Sequence, residues 1–412
     1  MITRRDFMKS GLAAVAVGIG VPGVFARAAA AAKAENSAGA GRTLVVVQLA
    51  GGVDGLNTVI PYGNPAYRDS RPSLAIQESE VLAVDDHAAF HPSLSKLKQQ
   101  FDKGRMAVVE GVGYPDPTFS HFKAMDIWQS ADPQGAARDG WLGKYFESLT
   151  DFGGHPLAGL SVGSRLPSSL ESTKATIPAV ASLDTFDLQE PASDPSGDRN
   201  RSLVRLYDEY RPSGTAYAAL LDTTLQNALA SSTALQAADA AYKPSVEYPD
   251  SSLGSGLRLI AELIDSGDGQ SPLRVGHVTL GGFDTHTQQA QAFADLLTDT
   301  SDALDAFLQD IEAHGHADDV LVMTWSEFGR RVRENAQEGT DHGSAGPMFL
   351  LGNAVKPGFH GEPSSLTDLD NGNLRHTIDF RSVYATLLEK WLEVPAEAIL
   401  GGRFEQLDLL AV

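Results

Sequence analysis

Short β-branched runs alternating with longer helical patterns constrain this chain more than any other feature. Residues Thr43–Leu49 (TLVVVQL) form an unbroken, mostly apolar run that ends at Gly51 and Gly52. A run without polar alternation is apolar on both faces, the pattern of a strand buried in a parallel sheet. Similar runs recur at 106–112, 274–280, 320–325 and 348–351, and helical patterns lie around them at 122–130, 202–241, 252–266, 287–313 and 380–392. This order predicts an α/β fold, a three-layer sandwich whose central, mostly parallel sheet is covered by helices on both faces. The stretch around 167–248 interrupts the alternation with Ser/Asp/Pro-rich segments, and it reads as an insertion or cap because it lacks strand signals of its own.

Composition removes several classes of chemistry. The 53 acidic residues against 32 basic ones leave a formal charge of -21, which opposes a phosphate backbone and argues against nucleic acid as a partner. The chain has no cysteine, so disulfides, thiolate zinc sites, iron–sulfur clusters and a cysteine nucleophile are all excluded. A metal here has to be held by Asp, Glu, His or Asn.

The first residues read as an address. The segment TRRDFMK places Arg4 and Arg5 side by side, an apolar stretch follows at 11–25, and Ala26 and Ala28 offer an A-x-A cleavage site. The apolar stretch is shorter than the roughly 20 residues that a membrane-spanning helix needs. Residues 1–28 are therefore expected to be a twin-arginine signal peptide, 29–41 an Ala/Gly/Ser-rich linker and 42–412 the folded domain. The mature protein is expected in the periplasm or outside the cell, delivered by the twin-arginine machinery, with no membrane span. That route carries folded proteins, which is compatible with a metal loaded before export.

In a parallel sheet, ligands bind beyond the carboxyl ends of the strands. Polar clusters occur just there: Asp54 and Asn57 in GGVDGLN, Ser120 and His121 in TFSHF, Asp284 and His286 in GGFDTH, and Glu327 and Arg330 in SEFGR, with His342 following in GTDHG. Asp54, Asp284, His286, Glu327 and His342 are candidate ligands for divalent ions, since hard oxygens and imidazoles suit such cations. Asp54 and Asn57 are also ordinary turn formers, and Asp284 or Thr285 is an alternative cap for the helix expected from 287. Ser120 lies where a Pro-rich loop enters a helix, a position that suits a nucleophile with a lowered hydroxyl pKa as well as a simple N-cap. Arg330 carries a planar fork matched to phosphate or sulfate, or else pairs with Glu327.

Taken in order behind a twin-arginine leader, GGVDGLN, SHF, GGFDTH, SEFGR and GTDHG resemble the exported family known as domain of unknown function 1501, over about residues 43–400. That family is similar to the alkaline phosphatase and sulfatase superfamily. The resemblance implies an alkaline phosphatase-like fold, an Asp ligand after the first strand (Asp54) and a hydroxyl nucleophile after the second (Ser120, with Thr118 as rival). It further implies an Asp and His after a later strand (Asp284, His286), an acid after the next (Glu327) and a final His (His342). Three departures from the best-known phosphatases stand out: Asp284 and His286 are one residue apart where phosphatases have three, Glu327 replaces an Asp-His pair, and Ser120 lies outside a sulfatase Cys/Ser-x-Pro-x-Arg motif.

The function expected on these grounds is hydrolysis of a phosphate or sulfate ester on a small molecule or glycan. Divalent metal (Zn, Mn, Mg or Ca) is the expected cofactor, and Ser120, His121 and Arg330 the expected catalytic residues. The alternative is a noncatalytic exported protein that keeps the fold and binds a glycan or a protein.

Overall fold

The computed structural model describes residues 41–135, 137, 139–149, 157–181, 205, 238–239, 241–266 and 273–412. The signal-peptide segment 1–28, nearly all of the linker 29–41 and most of the helix expected at 202–241 lie outside these residues.

Strand β1 (Thr43–Leu49) occupies the centre of the sheet, and all seven of its residues are buried. Its side chains alternate between two apolar cores. Val45 and Val47 pack with one cluster, while Leu44 and Val46 pack with the other. The remaining sheet strands are β2 (Met106–Gly113), β3 (Gly159–Val162), β4 (Ala179–Val180), β5 (Val275–Leu280), β6 (Val320–Trp325), β9 (Gly346–Leu351), β10 (Gly358–His360) and β11 (Ile378–Asp379). A hairpin, β7 (Arg330–Glu334) with β8 (Thr340–His342), stands off the sheet. The sheet runs in the order β10-β2-β9-β6-β1-β5-β3-β4, with β11 also paired to β2. Every pairing in it is parallel except those of β9, which runs antiparallel between β2 and β6. A nine-stranded sheet with one reversed strand is mostly parallel, as the alternating pattern predicts.

Helix α1 (Pro65–Ser70) packs through Tyr67 in a third, smaller apolar cluster, and two helical layers cover the sheet. The first core is closed by α2 (Ser95–Asp102), α5 (Ser252–Asp265) and α6 (Gln289–Ala313), through residues such as Leu97, Leu257, Ile260, Leu304 and Phe307. The second is closed by α3 (His121–Ser130), α4 (Trp141–Ser148) and α7 (Phe380–Thr386), through Trp128, Trp141, Phe146 and Tyr384. Fully burying one such side chain stabilises the fold by about 1.5–3 kcal/mol, so two cores of this size commit the sheet to being covered on both faces.

Local differences from the sequence reading are instructive. Helix α6 starts at Gln289, and its N-cap residue Gln288 has a left-handed backbone, so neither Asp284 nor Thr285 caps it. The helix expected over 380–392 widens into a π-helical turn at Leu387–Trp391. The stretch 330–334 is a strand, which removes the one-turn spacing that would have paired Arg330 with Glu327 on a helix. In the segment around 167–248, the described part contributes β4, which extends the main sheet. Among the described residues, no helix is long and apolar enough to cross a membrane.

Candidate metal centre

Because β1, β2, β5 and β6 all run the same way, the loops after them meet at one sheet edge, and reversed β9 begins at that edge just after His342. The close approach of these loops depends on Gly51. Its φ is +125°, and a Cβ there would lie 2.4 Å from the Asp284 amide nitrogen. Only glycine admits both the conformation and the contact.

His121, Asp284 and His342 each offer a ligand atom, and these atoms lie within 4.8 Å of one another. His342 Nε2 is 3.0 Å from Asp284 Oδ1, and His121 Nε2 is 3.4 Å from Asp284 Oδ2. His286 flanks this triad, with its Nε2 2.9 Å from both Asp284 Oδ1 and His342 Nε2. Donors around a zinc-sized ion at about 2.0–2.1 Å lie roughly 3.3 Å apart, so these spacings suit one small cation.

The ring orientations are fixed from behind. His342 Nδ1 donates to the Phe119 carbonyl at 2.8 Å; since a carbonyl only accepts, Nδ1 carries the proton. With Nδ1 donating there, a second proton or a cation has to lie between Nε2 and the Asp284 carboxylate, because a bare nitrogen lone pair and a carboxylate oxygen are both acceptors. His121 Nδ1 lies 2.8 Å from Glu327 Oε1. This is the carboxylate–histidine arrangement that orients metal-binding imidazoles. Phe328 packs against both rings, its centroid 4.9 Å from His121 and 4.5 Å from His342, and shields one side of the cluster.

Glu327, read from the sequence as a ligand, is fully buried, and its oxygens face the Gly51 amide at 2.9 and 3.1 Å as well as His121. It occupies the position of a support behind a ligand. Arg330, expected as a phosphate clamp, is buried to 1% exposure, with every guanidinium nitrogen engaged. It donates to the carbonyls of Gly52 (2.7 Å), Thr340 (2.7 Å), Phe283 (3.0 Å) and Gly51, and to Asp284 Oδ1 (2.8 Å). Its fork ties the loops after β1 and β5 to strand β8, and its burial keeps it from gripping an anion in solution. Burial works to raise the Asp284 carboxyl, but hydrogen bonds from Arg330 and His342 and the nearby charges of Arg330 and His286 outweigh it and hold it at about 2.

Asp54, also expected as a ligand, lies in a separate buried network. Its Oδ2 accepts from Arg71 Nη1 and Gln289 Nε2, each at 2.5 Å. Asn57 belongs to the same network, accepting from Tyr67 and Arg71 and donating to the Leu74 carbonyl at 2.8 Å. This cage of Arg71, Tyr67 and Gln289 had no motif to announce it, since its members are dispersed along the chain. Ser120 is the N-cap residue of α3, but its side chain makes no cap bond and is exposed. Thr118 Oγ1 faces the Ser120 amide at 3.4 Å.

A cavity of about 610 Å³ opens elsewhere, among residues including Leu56, Asp85, Glu110, Pro347 and Phe359, and no cluster residue lines it. Burial, reinforced by Asp85 and Glu362, raises the Glu110 carboxyl in its wall to about 7.

A mostly parallel α/β sandwich with a histidine–carboxylate cluster at the carboxyl edge of its sheet defines the class of protein. The chain belongs to the family described as "Protein of unknown function (DUF1501)", whose model matches residues 41–399. No curated relative matches the sequence. Among solved structures it is similar to a sulfatase, PsFucS1, from Pseudoalteromonas sp., with 11% identity, 95% of this chain and 75% of that chain covered, and a TM-score of 0.39. It is also similar to an alkaline phosphatase superfamily protein from Vibrio parahaemolyticus, with 8% identity, 93% and 78% coverage and a TM-score of 0.40. A third similar structure is the phosphonate monoester hydrolase of Agrobacterium radiobacter, with 10% identity, 88% and 78% coverage and a TM-score of 0.37.

Proposed function

We propose that this chain is an exported, metal-dependent hydrolase of phosphate or sulfate esters, acting on a small molecule or glycan. One observation carries the reading: His342 Nε2 lies 3.0 Å from Asp284 Oδ1 and His121 Nε2 lies 3.4 Å from Asp284 Oδ2, so two imidazoles close on one carboxylate, with His286 beside them. Two acceptors at that distance repel unless a cation lies between them. A proton on one imidazole satisfies a single contact, whereas a divalent ion satisfies all the converging donors together.

His121, Asp284 and His342 are the residues that would hold the ion, with His286 beside Asp284 and His342, and Zn or Mn suits the mixed nitrogen and oxygen set. When bound, it would lower the pKa of a nearby hydroxyl and neutralise charge on the ester oxygens. Glu327 holds His121 in the tautomer whose Nε2 is free. Arg330 keeps Asp284 ionised and in place. Ser120 supplies the attacking hydroxyl, at the amino end of α3 where first-turn amides favour an anionic group. Export by the twin-arginine machinery belongs to the same proposal and rests on Arg4 and Arg5.

Removal of the metal tests the reading. On protein shown by elemental analysis to contain metal, a chelator should lower the melting temperature, and Mn or Zn should restore it. A ligand present at about 100 times its dissociation constant stabilises by about 2.7 kcal/mol. His342→Ala should lose the metal, along with turnover of chromogenic phosphate or sulfate esters. Identical melting curves with and without chelator would count against a resident ion. For export, Arg4→Lys with Arg5→Lys should leave the precursor in the cytoplasm, and periplasmic protein at normal yield would refute that route.

The placement of Asp54 in a separate network and of Glu327 behind His121, and the engagement of Arg330 with backbone carbonyls, favour a second reading: a noncatalytic exported protein that keeps one cation and binds a glycan or a protein. Retained metal without turnover of any ester would select it.

A further inference from the structure

Among the described residues, the large apolar side chains exposed to solvent are Phe119 at 39%, Phe122 at 81% and Val412 at 50%. Scattered single exposures need no explanation, but two of these three flank Ser120 and His121. The Phe119 carbonyl accepts the hydrogen bond that orients His342, so its backbone is anchored to the cluster. Phe122 follows His121 in the first turn of α3, its Cα about 3.8 Å from that of the metal-binding candidate. At 81% exposure its ring contributes little to the core, and a polar residue would serve the helix equally well. An ester group held at the cluster brings its organic remainder within reach of these two rings.

We infer that Phe122, with Phe119, is a specificity determinant that stacks on a ring carried by the substrate, so that the preferred ester bears a flat arene or a saturated, sugar-like ring next to the phosphate or sulfate. The inference rests on the hydrolase reading above and names the substrate class of the same site. Aromatic faces attract such rings through edge and face contacts that straight-chain groups cannot make. Phe119 and Phe122 are exposed on either side of Ser120 and His121 in the chain, whereas the buried Phe328 packs against the rings of His121 and His342.

The test uses inert analogues and needs no turnover. Titration calorimetry on the manganese-loaded mature chain compares phenylphosphonate, cyclohexylphosphonate and methylphosphonate, with benzenesulfonate and methanesulfonate as the sulfur pair. The phenyl compound should bind at least about five-fold tighter than the methyl compound. Phe122→Ala should erase that ratio while leaving methylphosphonate affinity and the melting temperature unchanged, and Phe122→Tyr should preserve it. The cyclohexyl arm separates a saturated ring from an arene. A ratio near one in the wild type, or one that survives Phe122→Ala combined with Phe119→Ala, overturns the inference alone. So does a loss of vesicle binding or self-association in Phe122→Ala with the ratio intact. If no phosphonate or sulfonate binds the metal-loaded protein, the inference and the ester-hydrolase reading both fall.

Discussion

His342 and Ser120 divide between them what a single side chain can reveal. For His342, the Phe119 carbonyl on Nδ1 decides which nitrogen faces Asp284, and the proposed ligand role rests on that one hydrogen bond. For Ser120 the position suited both a nucleophile and a cap, and the exposed hydroxyl without a cap bond separates the two. Ser120→Ala is therefore expected to change stability by less than about 0.5 kcal/mol, the ordinary range for a surface substitution. Ester turnover should fall by about 1,000-fold or more if the hydroxyl attacks, and Thr118→Ala should leave it largely intact. Parallel denaturant unfolding and ester assays read the two quantities. A stability loss of about 1 kcal/mol with activity retained would return Ser120 to a capping role.

At the scale of elements, the site depends on how closely the loops after β1 and β5 approach. Gly51 is the contact point, held by Glu327 through its amide and by Arg330 through its carbonyl. Gly51→Ala would place a methyl group 2.4 Å from the Asp284 amide in a backbone conformation that alanine avoids. The expected cost is about 2 kcal/mol or more in denaturant unfolding, with loss of metal as Asp284 is displaced. Wild-type stability and metal content in that variant would show that the loops adjust freely. Arg330 belongs to this scale too. Its fork reaches carbonyls in two loops and in β8, and a motif that records only the residue type could not distinguish that task from gripping a phosphate.

Over the whole molecule, burial of histidine is one source of lost stability in acid. His277 in β5 is completely enclosed, neither ring nitrogen has a hydrogen-bond partner, and burial lowers its pKa to about 4. Burial also lowers His91 to about 4, against an opposing contribution from Asp54. A folded-state pKa below the unfolded value of about 6.5 means that the neutral ring favours folding. That contribution is fully present above pH 6.5 and is lost as pH falls toward 4, by about 3 kcal/mol for His277. Unfolding free energies should therefore decline across this window, and His277→Leu should flatten the decline; an unchanged slope would remove His277 as its cause. The sequence by itself determined the layered α/β architecture, because runs such as Thr43–Leu49 are apolar on both faces and can only be satisfied inside a covered sheet. It also located the edge where Asp284, His286, His121 and His342 meet, because parallel strands send their following loops the same way. It missed β3, whose Gly159 and Ser161 dilute a four-residue run below any periodic signal. Only the tertiary structure decided which acids face the cluster, by setting Asp54 against Arg71 and Gln289 and placing Glu327 behind His121. A carboxylate takes its role from the partner it meets, and those partners lie 17, 235 and 206 residues away along the chain, beyond the reach of local pattern.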